Sequence, residues 1–299
     1  MSVPTPTADK PALTRLVGSN RGQMLLFAML TVILTVATVW GGRTWLRNSE
    51  TLTFAVGNAN GPEARFAGRL DAALKNNFSR LRLKILPNAD NAKALSRFDR
   101  KEADLAVLRT DAKVPPRARA LAILEHDVVL LITPGSRKIK SLADLRKKKI
   151  AVLADGDNNA AFVRSILEIP DNAEASSRVR MAPPNTTLDK LFSSGGYGAV
   201  VAIAHASAIV KDKSFEQYAR RSQFTLNAID EATTLARRNP SISEETLAKG
   251  MLSSSPEMPD DDLDTIGLQW LLVAQSKMPA TTAEELARTI ELALDNGFA

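Results

Sequence analysis

The chain has no cysteine in 299 residues, only two histidines, and aromatic residues at 5%. Without thiols it cannot be a disulfide-stapled module, a thiol enzyme or a cysteine-ligated metal protein. Scarce aromatics, with glycine and proline at 15 each, exclude prion-like and collagen-like compositions, and a hydrophobic content of 44% argues against wholesale disorder. Internal repeats are lacking, and the only biased tract is the Pro/Thr-rich first dozen residues. Length alone suggests one or two domains.

Charge is missing too, and in one place. No residue from Gly22 to Gly42 is ionisable, and Met24 to Trp40 is nearly all apolar. A helix of about 20 residues spans a bilayer core of roughly 30 Å, so this stretch is a transmembrane candidate. A cleaved signal peptide is the rival. Its apolar region is normally about 7–15 residues and ends in an Ala-x-Ala-like site, and no such triplet lies between Val36 and Gly42. The expectation is an uncleaved signal anchor over 22–42. Lys10, Arg15 and Arg21 against Asp9 favour a cytoplasmic segment 1–21, although Arg43 and Arg47 weaken the bias. Residues 48–299 then lie outside the cytoplasm, in the periplasm of a bacterium whose inner membrane holds the single span.

The split changes the meaning of the net charge of +6. Five of the 39 bases and one of the 33 acids precede residue 48, leaving 34 against 32. A nearly neutral folded part with few aromatics gives little support to nucleic-acid binding, which needs clustered Lys/Arg and stacking platforms.

After residue 48, short β-like runs alternate with amphipathic helical patterns. Leu52–Val56 reads as a strand, Asn60-Gly61-Pro62 opens a helix with Asn60 near its N-cap, and Leu81, Leu83 and Ile85 alternate with Arg82 and Lys84. A helix over Asn91–Arg100 and a strand over Asp104–Leu108 complete βαβαβ, which implies a parallel sheet. Leu121–Leu124 and Val128–Ile132 read as two adjacent strands with His126-Asp127 between them. Strands near Ile150–Leu153, Ala199–Ile203, Phe224–Ile229 and Ile266–Ala274 follow, and Thr281-Thr282-Ala283-Glu284 reads as the capping box of a last helix. The expected fold class is α/β: a transmembrane helix, then two lobes with a ligand cleft between them. The first lobe begins at 51–133, the second occupies 134–224, and 225–299 returns to complete both.

Three segments carry a resemblance. Asp90 to Asp111, in which a polar turn opens a helix ending in Lys101-Glu102-Ala103-Asp104-Leu105-Ala106, resembles TAXI-family solute receptors, the binding proteins of tripartite TRAP transporters. Ile139 to Val152 resembles a segment shared widely by type II periplasmic binding proteins, and Thr265 to Ala274 with the helix after it is similar to the end of the same family. The resemblance implies a two-lobe solute receptor that closes by a hinge, with torsions near Ile132–Pro134 and Phe224–Ala228. It also implies a membrane partner, the TRAP membrane subunits or another envelope protein. Three loops depart from the family pattern: Gly57 to Glu63 lacks the tyrosines, Asp155-Gly156-Asp157-Asn158-Asn159 replaces Gly-Ser-Gly-Thr, and His205-Ala206-Ser207 replaces Gly-x-Pro.

In such a fold, helix N-termini offer unpaired N–H groups to an anion. Asn58, Asn60 and Gly61 would do so from the first lobe, with Asn60, Asp90 and Asn91 alternatively spent as caps. Arg109 could clamp a carboxylate or point to solvent; Thr110 and Asp111 follow a strand's carboxyl end as ligand contacts or turn residues. Asp155 and Asp157 would repel an anion and favour a cationic or neutral polar ligand, a bound cation or no small ligand, with Asn158 a further candidate contact, unless Asp157 merely caps its helix and Asp155 points to water. The spacing lacks an EF-hand's distal acid, so neither a metal nor a cofactor is expected. His205 is a further candidate ligand contact; His126 and His205, the latter near Ser207, come without a Gly-x-Ser-x-Gly elbow or an HExxH spacing, so catalysis is not expected. The reading is a solute-binding protein for an amino acid, dicarboxylate or cationic metabolite. The alternatives are a tethered sensor or interaction module, and a pyrimidine-precursor-synthase-like enzyme.

Overall fold

An uninterrupted helix, α1 (Leu16–Arg47), opens the computed structural model, which describes residues 16–47, 49–136, 138–153, 158–169, 173–193, 195–221 and 223–294. The expected loop acids Asp155 and Asp157 lie outside the described residues. The chain forms two units, Met1–Glu50 and Thr51–Ala299. In the first, Gly22–Gly42 has a mean hydropathy of 2.2 with none of its length buried. At 1.5 Å per residue its 21 residues reach about 30 Å. Thr31, Thr35 and Thr38 donate their hydroxyls to the carbonyls of Phe27, Thr31 and Leu34 at 2.7–2.8 Å, which leaves no unsatisfied hydroxyl on those three side chains. The helix is long and apolar enough to cross a membrane, a profile it shares with signal sequences.

The second unit follows the order β1 (Glu50–Val56), α2 (Pro62–Asn76), β2 (Leu81–Pro87), α3 (Asn91–Asp99), β3 (Leu105–Arg109) and β4 (Ala118–Pro134). A 3₁₀ turn at Leu142–Leu145 leads to β5 (Ile150–Val152), α4 (Asn158–Glu168), α5 (Ala173–Ser177), β6 (Val179–Met181), α6 (Leu188–Ser193) and β7 (Ala199–His205). Then come α7 (Ala206–Ile209), α8 (Ser214–Arg221), β8 (Phe224–Asn227), α9 (Ala232–Arg238) and β9 (Ser243–Leu247). The small hairpin β10 (Ser253–Ser254) and β11 (Glu257–Met258), the long β12 (Leu263–Gln275) and α10 (Ala280–Leu294) complete it.

One sheet runs β2-β1-β3-β12-β4-β7-β5-β6, with β8 added beside β4 and β9 beside β12. β1 and β3 are parallel, as are β5, β6 and β7; β12 is antiparallel to both β3 and β4. The two long strands therefore serve both lobes. The first half of β4 lies beside the second half of β12 in the first lobe, and its second half, Asp127–Ile132, pairs β7 in the other. The structure thus has the two-lobe α/β architecture expected from the alternating pattern.

Side-chain alternation builds a core on each face. From β4, Val129 and Leu131 join α4 and α9 through Val163, Ile166 and Leu235, whereas Val128, Leu130 and Ile132 face α8 and Phe215. In the first lobe, Phe54, Val56, Leu105 and Val107 pack on Phe66, Leu70 and Leu74 of α2 and on Leu286 and Ile290 of α10, while Leu108 and Val273 cover Phe98 of α3.

Several local expectations need correction. Leu121–Leu124 and Val128–Ile132 are parts of one strand, because each member of the polar triplet between them has a partner that keeps it in the ladder. Ser207 donates to Glu125, Glu245 pairs with His126, and His205 pairs with Asp127. The N-cap of α2 is Gly61, not Asn60. The last helix already begins at Ala280, so Thr281 sits inside its first turn rather than capping it. The segments expected as hinges pair with each other, Pro134 opposite Phe224 and Ile132 opposite Leu226, inside the second lobe. The strands that pass between the lobes do so at Glu125–Val128 and Gly267–Trp270.

Candidate functional site

The crossing of β4 and β12 assembles a row of polar side chains on one face of the sheet. Arg109 ends β3 opposite Trp270 of β12, and Trp270 stands opposite Glu125 of β4. Asp127, two residues along the same face, stands opposite His205 at the end of β7. Directly opposed residues of antiparallel strands share a face. The ladder alone therefore brings four strands' chemistry together where strands β3 and β7 end at their carboxyl edges, the usual ligand side of an open α/β sheet.

Arg109 is the centre of this row. Its Nε and Nη2 donate to the two carboxylate oxygens of Asp111 at 2.7 Å each, and its Nη1 donates to Asn159 Oδ1 at 2.8 Å and lies 3.6 Å from Asp127 Oδ2. Both side chains of the Arg109–Asp111 pair are only 11% exposed, so it is a bidentate, largely desolvated ion pair. Arg109 belongs to the first lobe and Asn159 to α4 of the second, and their bond joins the lobes across the cleft. The arginine is thus neither a solvated side chain nor a vacant clamp. Its guanidinium carbon also stands 5.8 Å from the centroid of the Trp270 ring, within cation–π range.

His205 Nδ1 lies 2.6 Å from Asp127 Oδ1, and the imidazole meets Trp270 edge-on with centroids 5.7 Å apart. Burial opposes protonation of His205. The hydrogen bond and charge of Asp127, with the charges of Glu125 and Glu63, outweigh it and hold the imidazole pKa above its ordinary value. Ser207 donates to Glu125, not to His205, so serine and histidine do not form a relay. His126 projects elsewhere, to Glu245 at 3.0 Å, and Ser243 donates to the same carboxylate. Gly267 makes room for that group: a Cβ there would stand 2.5 Å from the Asp127 carbonyl and from Glu245 Cγ.

The first-lobe loop is arranged differently from the anion cradle expected of it. Asn58 accepts from the Asn60 N–H through its side chain and from the Gly61 N–H through its carbonyl, closing a tight turn in which Asn58 and Asn60 are exposed. At Gly61 a Cβ would stand 2.9 Å from Glu63 Oε2. Glu63 therefore places its own carboxylate at the helix start, where an anion would be received. The residue is 7% exposed. Asp90 caps α3, accepting from the Lys93 N–H at 2.7 Å. Asn91 follows beside Gly57, whose Cβ would meet the Asn91 nitrogen at 3.2 Å, and Asn91 Oδ1 is buried without a hydrogen-bond partner. Thr110 spends its hydroxyl donating to the Ser241 carbonyl and accepting from the Gln269 N–H. Asn158 is the exposed first residue of α4.

Of the residues singled out from the sequence, Arg109, Asp111 and His205 meet at the lobe junction. Asn58, Asn60 and Asp90 serve turns and caps, and Thr110 ties a loop. Glu63, Glu125, Asp127, Asn159 and Trp270 complete the junction without having been singled out as contacts. The available signal was Glu125 and Asp127 at spacing two in an otherwise apolar run, which puts both on one face of a strand. Among the described residues no group of three or more His, Asp or Glu is placed to hold a metal ion.

No family model matches the chain, and no curated protein matches it. Among solved structures it is similar to XAC2383 from Xanthomonas citri bound to ATP, at 12% identity over 84% of this chain and 89% of that one, with a TM-score of 0.51. A TctC solute-binding protein from Polaromonas aligns at 13% identity over 83% and 88%, with a TM-score of 0.49, and a reduced form of OxyR from N. meningitidis at 10% over 83% and 97%, with a TM-score of 0.43. At such identities the likeness speaks to the fold. The sheet order and the two shared strands give this chain a two-lobe α/β fold similar to that of XAC2383.

Proposed function

We propose that the protein is a membrane-tethered, extracytoplasmic binding protein of the TAXI type that takes a small polar solute between its lobes and presents it to TRAP membrane subunits. The observation that supports this reading is the Arg109–Asn159 bond across the cleft, set among Asp111, Asp127 and His205. Polar groups converging between two lobes are what a ligand would exchange for its own when the lobes part and close again. The three loop departures are consistent with a ligand unlike the family's usual one. Binding, not catalysis, is the proposed activity, since Ser207 is engaged by Glu125 and offers His205 no hydroxyl.

The test uses the full chain in detergent or lipid discs. Calorimetry and thermal melts against amino acids, dicarboxylates, polyamines and ATP are expected to show a saturable response to one class, and silence from all four would sink the reading. Transport is tested separately: recovery of the large and small TRAP membrane subunits on purification supports it. Recovery of other envelope proteins instead favours the second reading, a tethered sensor or interaction module. That alternative draws on the self-satisfaction of Arg109, each of whose three nitrogens already donates to a side chain of this chain. A periplasmic reporter fused after Ala299 checks topology, because activity of a cytosolic reporter alone would overturn the tether and reopen the synthase-like alternative.

A further inference from the structure

We propose that the cleft selects a cationic ligand, an alkylammonium or guanidinium group seated at Glu63 with Glu125 beside it. This rests on the reading of the cleft as a solute site.

The two features that would receive an anion are both answered from within the chain. Arg109 is held bidentately by Asp111. The start of α2 is filled by Glu63, with Gly61 opening the space for its carboxylate. The other carboxyl groups pair as well: Asp127 with His205, and Glu125 with Ser207. Glu63 is the exception. The residue is 7% exposed, and among the described residues no hydrogen bond or ion pair is made by its carboxylate, whose oxygens still reach solvent.

Topology places it at the same edge as the rest. α2 follows the carboxyl end of β1, and β1 is the parallel neighbour of β3, which ends in Arg109. Glu63 is also among the carboxylates whose charge raises the pKa of His205. In the same lobe, beside Gly57, Asn91 Oδ1 is a second acceptor without a donor. Four acidic side chains (Glu63, Asp111, Glu125 and Asp127) gather at this edge with one guanidinium and one imidazole, so acidic groups outnumber basic ones. An ammonium or guanidinium donor is the group that supplies what is missing, through a charge-assisted hydrogen bond.

The experiment compares agmatine with succinate by calorimetry and thermal melting on the full chain in detergent, for wild type, Glu63→Gln and Glu125→Gln. Agmatine is expected to bind wild type and raise its melting temperature, with succinate silent. Removing the charge at Glu63 is expected to weaken agmatine about tenfold or more, and at Glu125 by less, from the loss of charged hydrogen bonding and of nearby charge. If Glu63→Gln fails to fold, weakening in Glu125→Gln decides. Succinate binding with agmatine silent overturns the cation preference while leaving a solute site in place. Agmatine binding unchanged in both variants places any such site elsewhere and overturns the assignment. Silence from both probes overturns it as well, and only silence across the wider panel would remove the binding reading with it.

Discussion

Asp127→Asn isolates the buried contact on which the lobe junction turns. Asp127 is 4% exposed and His205 21%, and their atoms lie 2.6 Å apart. A hydrogen bond between a charged pair in such surroundings contributes about 1.5–3 kcal/mol, and the amide retains shape while losing charge. Among the described residues, the groups acting on the imidazole include Asp127 and Glu125 from β4, Glu63 from α2 and the Trp270 ring from β12. Because the folded-state pKa of His205 is raised, its stabilisation is complete below the ordinary histidine value of 6.5 and is lost as pH rises through the folded value. The stability difference between wild type and Asp127→Asn should therefore be largest near about pH 5.5 and shrink by about pH 8.5. For a domain of this size the acid-side loss corresponds to a fall in melting temperature of about 3–12 °C.

Denaturant unfolding at both pH values measures this, and proton NMR reads the histidines directly. With two histidines in the chain, a His126→Gln spectrum assigns the His205 resonance. In wild type His205 should titrate above its ordinary range and move down in Asp127→Asn, where burial acts with less opposition. A wild-type titration at or below the ordinary value, or a stability loss larger at alkaline pH, would refute the reasoning.

Arg109→Lys keeps the charge and loses the planar fork that serves Asp111 and Asn159 together; unfolding measurements should show a loss of about 1–3 kcal/mol, and a neutral result would show the fork to be dispensable. Gly267→Ala places a methyl 2.5 Å from the Asp127 carbonyl and should cost about 1–3 kcal/mol through overpacking, with unchanged melting contradicting the close approach of Asp127 and Glu245 to Gly267. Val32→Arg at the centre of the apolar helix should add about 2.5–3.5 kcal/mol to membrane insertion and shift the chain into the alkaline-extractable fraction; equal retention would argue against a bilayer span.

The lobes were legible because burial on two faces writes near-continuous apolar runs, such as Val128–Ile132, and half-burial writes alternation, as in β2. The join inside β4 was not, because Glu125, His126 and Asp127 resemble a loop until their partners, 78 to 119 residues away for the two histidine pairs and similarly remote for Ser207, are in place. Arg109 and Asp111 stood out by position at a strand end. Their mutual pairing is a rotamer outcome invisible in spacing. Glu63 was masked by a common feature, an acid in a helix's first turn, and what distinguishes it is burial, which depends on the whole junction.

The placement of β12 has a bearing on how the chain acquires its structure. β3 and β4 are consecutive in sequence but separated in the sheet by a strand from near the other end of the chain. Until Leu263–Gln275 arrives, both carry a bare edge of unpaired backbone groups, and the first lobe's core lacks Leu272, Leu286 and Ile290. Completion waits on contacts more than 140 residues apart in sequence, as between Leu108 and Leu271, the kind that form slowly. A chain made from its N-terminus would hold that slot open through most of its synthesis, and its protection from self-pairing in that interval must come from outside the sheet.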